Sequence, residues 1–593
     1  MNIKKPKLRK QYRLFVRFAS FILPYRGAWF LILLLSYLVS LLGLINPYLT
    51  RLFIDRAVGT RDLRLFGILV LVGAAVFMAI SILGRINQYM EKYVRTKIRI
   101  DLNKHIFGRL IGLPFRWFQE NNTGANIYKI SYDIGRAEDL ITTVPPQAVS
   151  LFPKMVFILV IIFSMNWRMA LLASCLAPAL YIPAYYFNRR RVAIWESLIK
   201  NSENIFKILH EIFSHILPIK IFGKEKKETA RYIQALDNNI KIERDSFKLE
   251  LFNGFVASLV NKAIIGIITL YGAYQVIVGS MTLGTLTAIM VYVSQLVAMQ
   301  SSFIGFFQTI VLGVVSCQRL ADILDERCQL PDTAKGGKPL FRKADIVFNR
   351  VTFGYLSDRP VLKDLCFSIE NNRHVCLVGR SGCGKTTILN LMLRLYEPWD
   401  GEIAIGGYKI QDIEWEALRT QIGMALQEPF LFNDSIKNNI AFGKENAVEP
   451  EIIEAAKISL AHDFIEKIPG KYESVIGENA CKLSEGQKQK IAIARAVIKK
   501  PKILILDEAM SSMDSASEES ILANIKENFK EMTLITVSHR LSTVMNSDIV
   551  YFLKGPGEMV AGRYEELIVR DKDFYDLFKA QLIESTTLTP SQG

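Results

Sequence analysis

The sequence predicts a multi-domain membrane protein, an all-α six-helix transmembrane domain followed by an α/β P-loop domain. Three observations carry that prediction. Half of the 593 residues are hydrophobic, and over residues 1–320 they gather into nearly uncharged runs of about 20 or more, the length a helix needs to cross a bilayer. The octapeptide Gly379-Arg380-Ser381-Gly382-Cys383-Gly384-Lys385-Thr386 directly follows the apolar strand Val375–Val378, the strand, turn and helix setting of a phosphate-gripping loop. The net charge is +16, yet residues 341–593 hold 31 Lys and Arg against 36 Asp and Glu. The basic excess therefore lies in the part that carries the apolar runs, which anionic membrane headgroups explain better than nucleic acid, and no nucleic-acid partner is expected.

The elements follow in order. Residues 1–26 carry eight Lys and Arg and no acid, which puts the N-terminus in the cytoplasm, and Arg13–Leu23 has the pattern of an amphipathic helix lying along the inner surface. No short apolar core with a small-residue cleavage site precedes the first full-length run, so a cleaved signal peptide is not expected. The transmembrane domain covers 27–317, with spans at about 27–50, 65–86, 140–166, 169–188, 255–279 and 284–315. No charge occurs between Lys262 and Arg319, and that stretch holds two spans because Gly279–Gly284 turns the chain.

Six spans return the chain to the cytoplasm, as an integral, multi-pass protein of the bacterial inner membrane. The connections 85–139 and 189–250 are long, polar and helical in pattern, so the membrane helices continue into the cytoplasm and fold back. A short transverse helix is expected in each, near Thr123–Arg136 and Glu211–Lys224. Residues 318–340, a short helical piece followed by the breakers Pro331, Asp332, Gly336 and Gly337, form a linker. The second domain spans 341–584, and the Ser/Thr/Pro-rich residues 585–593 form a flexible tail. Seven cysteines without a CxxC pair suggest neither a disulfide framework nor a zinc site.

Chemistry concentrates in the second domain. The loop glycines let backbone N–H groups converge on phosphate oxygens, Lys385 reaches the β- and γ-phosphates, and Thr386, followed by Thr387, offers a hydroxyl to Mg²⁺. The strand Ile503–Leu506 ends in Asp507-Glu508, and working residues of a parallel α/β sheet sit at the carboxyl ends of its strands. Asp507 is placed to hold Mg²⁺ and Glu508 to act as general base for an attacking water. A further strand, Leu534–Val537, leads to Ser538-His539, where the imidazole can bond the γ-phosphate. Between these lies Leu483-Ser484-Glu485-Gly486-Gln487, with Ser484 as N-cap of a helix whose N-terminus suits an anion.

The order of P-loop, Gln427, LSEGQ, ILILDE, Ser511-Ser512-Met513-Asp514 and His539 resembles the ATP-binding cassette. The preceding spans resemble those of ABC exporters of the type IV fold, and the likeness covers essentially the whole chain. It implies that Tyr355 stacks on adenine and that Gln427 touches Mg²⁺ and water. It implies two cassettes facing head to tail, Ser484, Gly486 and Gln487 of one chain completing the site built by Lys385 and Glu508 of the other, with Asp514 at the interface. The working unit is then a dimer of half-transporters with two ATP sites. Two positions depart from the family pattern: Glu485 stands where the signature usually has Gly, and Gly477-Glu478-Asn479-Ala480 lacks the usual Arg and second Gly.

Because Lys385, Asp507, Glu508 and His539 are all kept, a homodimer is favoured, with the catalytically complete half of a heterodimer as the alternative. In the sixth span Ser294, Ala298, Ser301, Gly305 and Gln308 form one small, polar helical face that lines a cavity or packs against another helix. Lys262, in an apolar run, is a further cavity candidate. The expected function is ATP-driven export, or flipping from the inner leaflet, of an amphipathic small molecule, lipid or peptide. The competing reading is an ATP-gated channel or regulatory subunit.

Overall fold

The computed structural model describes residues 8–121, 126–127, 129–326, 343–356, 358–477 and 482–587. The chain divides into two compact units, residues 1–113 with 117–328 and residues 114–116 with 329–593. Most of the linker expected at 318–340, residues 478–480 of the altered segment before LSEGQ, and residues 588–593 of the tail lie outside the described residues.

Long helices make up the first unit. Leu63–Ile111 begins where the Asp62 carboxylate accepts from the amides of Arg64 and Leu65, and ends at Gly112-Leu113-Pro114, where proline cannot continue a helix. Its 49 residues span about 70 Å, more than twice the ~30 Å hydrocarbon core. In the excess length Val94, Ile98, Leu102, Ile106 and Leu110 are buried, every fourth residue on one face. Trp167–Ser214 starts in the same way, with Asn166 capping Arg168 and Met169. Glu225–Ile277 and Leu283–Asp325 complete the set. Among the described residues, five helical stretches are long and apolar enough to cross a membrane, and Trp167–Leu176 is a shorter apolar segment.

Polar contacts tie these helices at particular points. At the start of Leu283–Asp325, the Gly284 amide donates to Asp55 Oδ1 at 2.8 Å and the Thr282 hydroxyl to Oδ2 at 2.6 Å. A Cβ on Gly284 would sit 2.5 Å from that carboxyl, so glycine is what allows the approach. Fully buried Tyr292 donates to Leu44 O at 2.6 Å. Glu138, with no exposed surface, meets Arg95 and Arg99, without which a buried carboxylate would be very costly.

The structure shifts one sequence expectation. The short helix after the first long fold-back is Phe115–Glu120, set by the breakers Gly112 and Pro114. Of the expected Thr123–Arg136 segment, 123–125 and 128 lie outside the described residues, and Lys129–Asp133 with Ile134–Thr142 leads into Val144–Met165. The second short helix, Ile216–Ile221, falls inside the expected Glu211–Lys224. Helix Leu283–Asp325 includes residues 318–325, the helical start of the joint, since no glycine or proline interrupts them.

The second unit has two sheets. An antiparallel one runs in the order β2 (Leu362–Ile369), β1 (Ile346–Phe353), β4 (Asp400–Ile405), β5 (Tyr408–Lys409). The other runs β10 (Glu558–Gly562), β9 (Ile549–Gly555), β3 (His374–Gly379), β8 (Thr533–Val537), β7 (Ile503–Asp507), β6 (Ile422–Ala425). All but β10 are parallel to their neighbours. Strands β3 and β8 are buried along their whole length, the continuous apolar run a sheet covered on both faces requires. Leu377 of β3 pairs with Val537 of β8, which pairs with Asp507 of β7. That register brings three chain segments, distant in sequence, to one edge of the sheet.

Candidate functional site

Beyond Gly379 the chain turns through Gly382 (φ 82) and Gly384 (φ 112) into helix Lys385–Met392. Gly384 is doubly required: its φ lies in the left-handed region, and a Cβ would meet Leu362 Cδ2 at 2.9 Å. Lys385 is 8% exposed, and its ammonium donates to the carbonyls of Gly379 at 2.6 Å and Arg380 at 3.3 Å. A buried cation that donates to carbonyl dipoles at a helix N-terminus favours an anion beside it. Thr386 is exposed, whereas Thr387 is buried with its hydroxyl 3.2 Å from that of Tyr355. Tyr355 stands edge-on to Phe353 and Tyr396, with centroids at 5.3 and 5.2 Å, and keeps enough exposed face to receive a flat ring.

One strand over, β7 ends at Asp507 and Glu508 follows. Burial, and then the neighbouring Glu508 charge, push the Asp507 carboxyl above its ordinary range, with Lys385 pulling the other way. Adjacent carboxylates with one nearby ammonium favour a divalent cation. Among the described residues no group of three or more His, Cys, Asp or Glu could hold a metal alone. The donor set of Asp507, Thr386 and Gln427 instead fits Mg²⁺, which keeps waters and takes phosphate oxygens with one or two carboxylates.

Glu508 adopts φ 48, a left-handed conformation that costs a non-glycine residue about 1–3 kcal/mol and collects at working sites. Its amide donates to Val537 O at 3.0 Å. Its carboxylate is held from both sides: Gln427 Nε2 donates to Oε2 at 2.7 Å, and His539 Nε2 lies 3.3 Å from Oε1. Burial and then Lys385 lower the His539 pKa, partly offset by Glu508, so the ring is neutral at pH 7. Gln581, from helix Lys572–Thr587, donates to His539 O at 2.8 Å and accepts from the Leu541 amide at 2.9 Å. Sequence reasoning missed Gln581; nothing local connects it to a loop some forty residues earlier.

The LSEGQ segment closes on itself. Ser484 Oγ accepts from the Gln487 amide at 3.3 Å and Gln487 Oε1 from the Ser484 amide at 3.0 Å, a capping box that opens helix Glu485–Val497. Glu485 pairs with Lys488 at 3.3 Å and its side chain is 53% exposed. A Cβ on Gly486 would lie 3.5 Å from Ser512 O. Asp514 caps helix Ser515–Asn528 through the Ser517 amide at 2.8 Å, which lowers its pKa.

In the first unit, Ser294, Ala298, Ser301 and Gly305 are exposed along one face of their helix, Gln308 is half-buried and Lys262 is exposed. The hydroxyls of Ser294 and Ser301 donate to Met290 O and Ala298 O of their own helix, which lets such residues face an apolar neighbour. These residues belong to the first unit, and the phosphate loop to the second.

The family model described as ABC transporter transmembrane region matches residues 29–300, and that described as ABC transporter matches residues 362–511. An ATP-dependent lipid A-core flippase of Legionella pneumophila is 31% identical, the match covering 96% of this chain and 97% of that protein. A Staphylococcus aureus protein, provisionally named as a multidrug export ATP-binding/permease protein, is 30% identical over 95% of this chain and 99% of its own. A solved structure of a bacterial Atm1-family ABC exporter with ATP bound superposes with a TM-score of 0.84 at 25% identity, covering 100% of both chains.

Proposed function

The chain belongs to the ABC transporter family, as a half-transporter that couples ATP hydrolysis to transmembrane export, and from that premise we propose the following assignment of parts and cargo. Six spans form the membrane domain, with the N-terminus and cassette in the cytoplasm at the bacterial inner membrane. Two copies of this chain form the working dimer. Each ATP lies between Tyr355, the loop Gly379–Thr387 and Lys385 of one copy and Ser484, Gly486 and Gln487 of the other, with Asp514 at the interface. The cargo is a lipid-like amphipath moved outward from the inner leaflet. The name of the Legionella relative supports that class, and the small hydroxyl-bearing face Ser294–Gln308, with Lys262, suits a cavity for it.

The observation that carries this reading is Glu508, held in a strained conformation between Gln427 and His539 at the sheet edge where Lys385 also stands. Glu508 takes the proton of the attacking water, Gln427 orients that water, and neutral His539 donates toward the γ-phosphate. Bound between Thr386, Asp507 and Gln427, Mg²⁺ would neutralise charge on the β- and γ-phosphates. Lys385 offsets the phosphate charge from the loop side. ATP drives the cycle only by binding the closed pair of cassettes far more tightly than the open one, about 10⁴-fold for a complete switch. The test is transport by purified protein in liposomes: ATP should move a fluorescent lipid between leaflets. ATP-dependent ion current without lipid movement would favour the channel reading instead.

A further inference from the structure

Segment Ser511–Asp514 lies between Glu508 and helix Ser515–Asn528, and two side chains hold it from opposite sides. Gln489, 1% exposed on the helix opened by Ser484, accepts from the Ser512 hydroxyl at 2.6 Å and the Ser512 amide at 3.3 Å. From the other side comes Arg540, the residue after His539. Its Nη2 donates to Ser511 O at 2.8 Å and Met513 O at 2.7 Å, and its Nη1 donates to Glu518 Oε2 at 2.6 Å. Glu518 is 2% exposed and also accepts from Thr543 Oγ1. The Arg540 amide donates to Ser538 Oγ at 3.0 Å, and Ser538 Oγ donates to Thr543.

This constellation is more than packing. A buried carboxylate is costly unless paired, and Glu518 is paired with a guanidinium that also donates to two main-chain carbonyls. A planar fork of fixed N–H directions spread over several nitrogens fits that task, whereas a lysine ammonium gathers its three donors on a single nitrogen. We propose that Arg540, braced by Glu518, is a positioning residue that ties the histidine loop to Ser511–Asp514. The presence of γ-phosphate at His539 would then set the placement of Asp514. The inference rests on the dimeric reading above, in which Asp514 faces the partner cassette; on that reading Arg540 links the state of one ATP site to the other. Its effect is on turnover and on cooperativity between sites, not on nucleotide affinity, since Arg540 touches neither the phosphate loop nor Tyr355.

The test uses the full chain reconstituted in liposomes, with ATPase measured against ATP concentration for wild type, Arg540→Lys and Glu518→Gln. Arg540→Lys keeps the cation opposite Glu518 but cannot serve both carbonyls. We expect kcat to fall about tenfold or more, KM for ATP to stay within about twofold, and the Hill coefficient to drop to about 1. Glu518→Gln, which keeps an acceptor for Thr543 and loses the charge, should give a smaller loss of the same kind. Wild-type kcat and cooperativity in Arg540→Lys would overturn the proposal, as would a loss that follows the thermal unfolding midpoint or appears in KM. A wild-type chain that hydrolyses ATP without cooperativity would overturn the link between sites. A wild-type chain without any ATPase would overturn the transporter reading itself, an outcome that does not involve Arg540.

Discussion

Acidification should unfold the cassette through His374, the first residue of the strand that leads into the phosphate loop. Its ring is 4% exposed; Nδ1 lies 3.1 Å from Asn546 O and Nε2 3.2 Å from Thr536 Oγ1. The carbonyl can only accept, so Nδ1 carries the proton. Burial first, then Lys526, lower its pKa to about 4, against about 6.5 for an unfolded chain. A histidine kept neutral by the fold contributes stability that is fully present above pH 6.5 and is lost as pH falls toward 4. Linkage gives a loss of about 2 kcal/mol at pH 5 and about 3 kcal/mol at pH 4, from this residue alone. Thermal or urea unfolding of the cassette in the full chain, followed by tryptophan fluorescence between pH 7 and 4, measures it. In His374→Gln, which cannot titrate, the pH dependence should shrink by about that amount. An unchanged slope in the variant would refute the assignment.

Four further outcomes follow from the same geometry. Gly384→Ala should cost about 1–3 kcal/mol of stability through its left-handed backbone, and weaken ATP binding, read by equilibrium dialysis. Gln581→Ala should lower ATPase about tenfold by freeing the His539 loop, while ATP affinity stays unchanged; an equal loss of affinity would contradict the role. Glu485→Gly should change turnover less than about twofold, because its carboxylate is solvated and paired with Lys488. A rise of about tenfold would instead mean that the carboxylate opposes phosphate. Gly284→Ala should destabilise the membrane unit by about 1–3 kcal/mol, since its Cβ has no room beside Asp55, measured as a lower unfolding midpoint in detergent.

Much of the site could be read in the sequence because its parts are short, local motifs attached to buried strands. Val375–Val378, Ile503–Leu506 and Leu534–Val537 announce themselves as apolar runs, and the residues after each are those that the sheet gathers at one edge. What could not be read is the tertiary bracing: Gln581, Gln489 and Glu518 sit on helices where a polar residue ordinarily means solvent, and only the fold turns them toward the site. The pairing of the Thr387 hydroxyl with that of Tyr355, 32 residues earlier, is tertiary in the same sense. The first fold-back illustrates the opposite case, a legible signal weighed wrongly: Gly112 and Pro114 end the long helix, and the short helix Phe115–Glu120 follows at once, ahead of the Thr123–Arg136 segment. The polar face from Ser294 to Gln308 is legible as a pattern, but which surface meets it is decided by neighbouring helices rather than by its own spacing.

The central claim is that Glu508, poised by Gln427 and His539, powers outward movement of a lipid-like cargo. The most direct measurement compares wild type with Glu508→Gln in the same liposomes, recording phosphate release and fluorescent-lipid movement together. Glutamine keeps the shape and the contact with Gln427 but cannot take a proton, so hydrolysis should fall by about 10²–10⁴, with lipid movement lost in parallel and ATP retained. Hydrolysis in Glu508→Gln at the wild-type rate, or lipid movement that continues without it, would contradict the account.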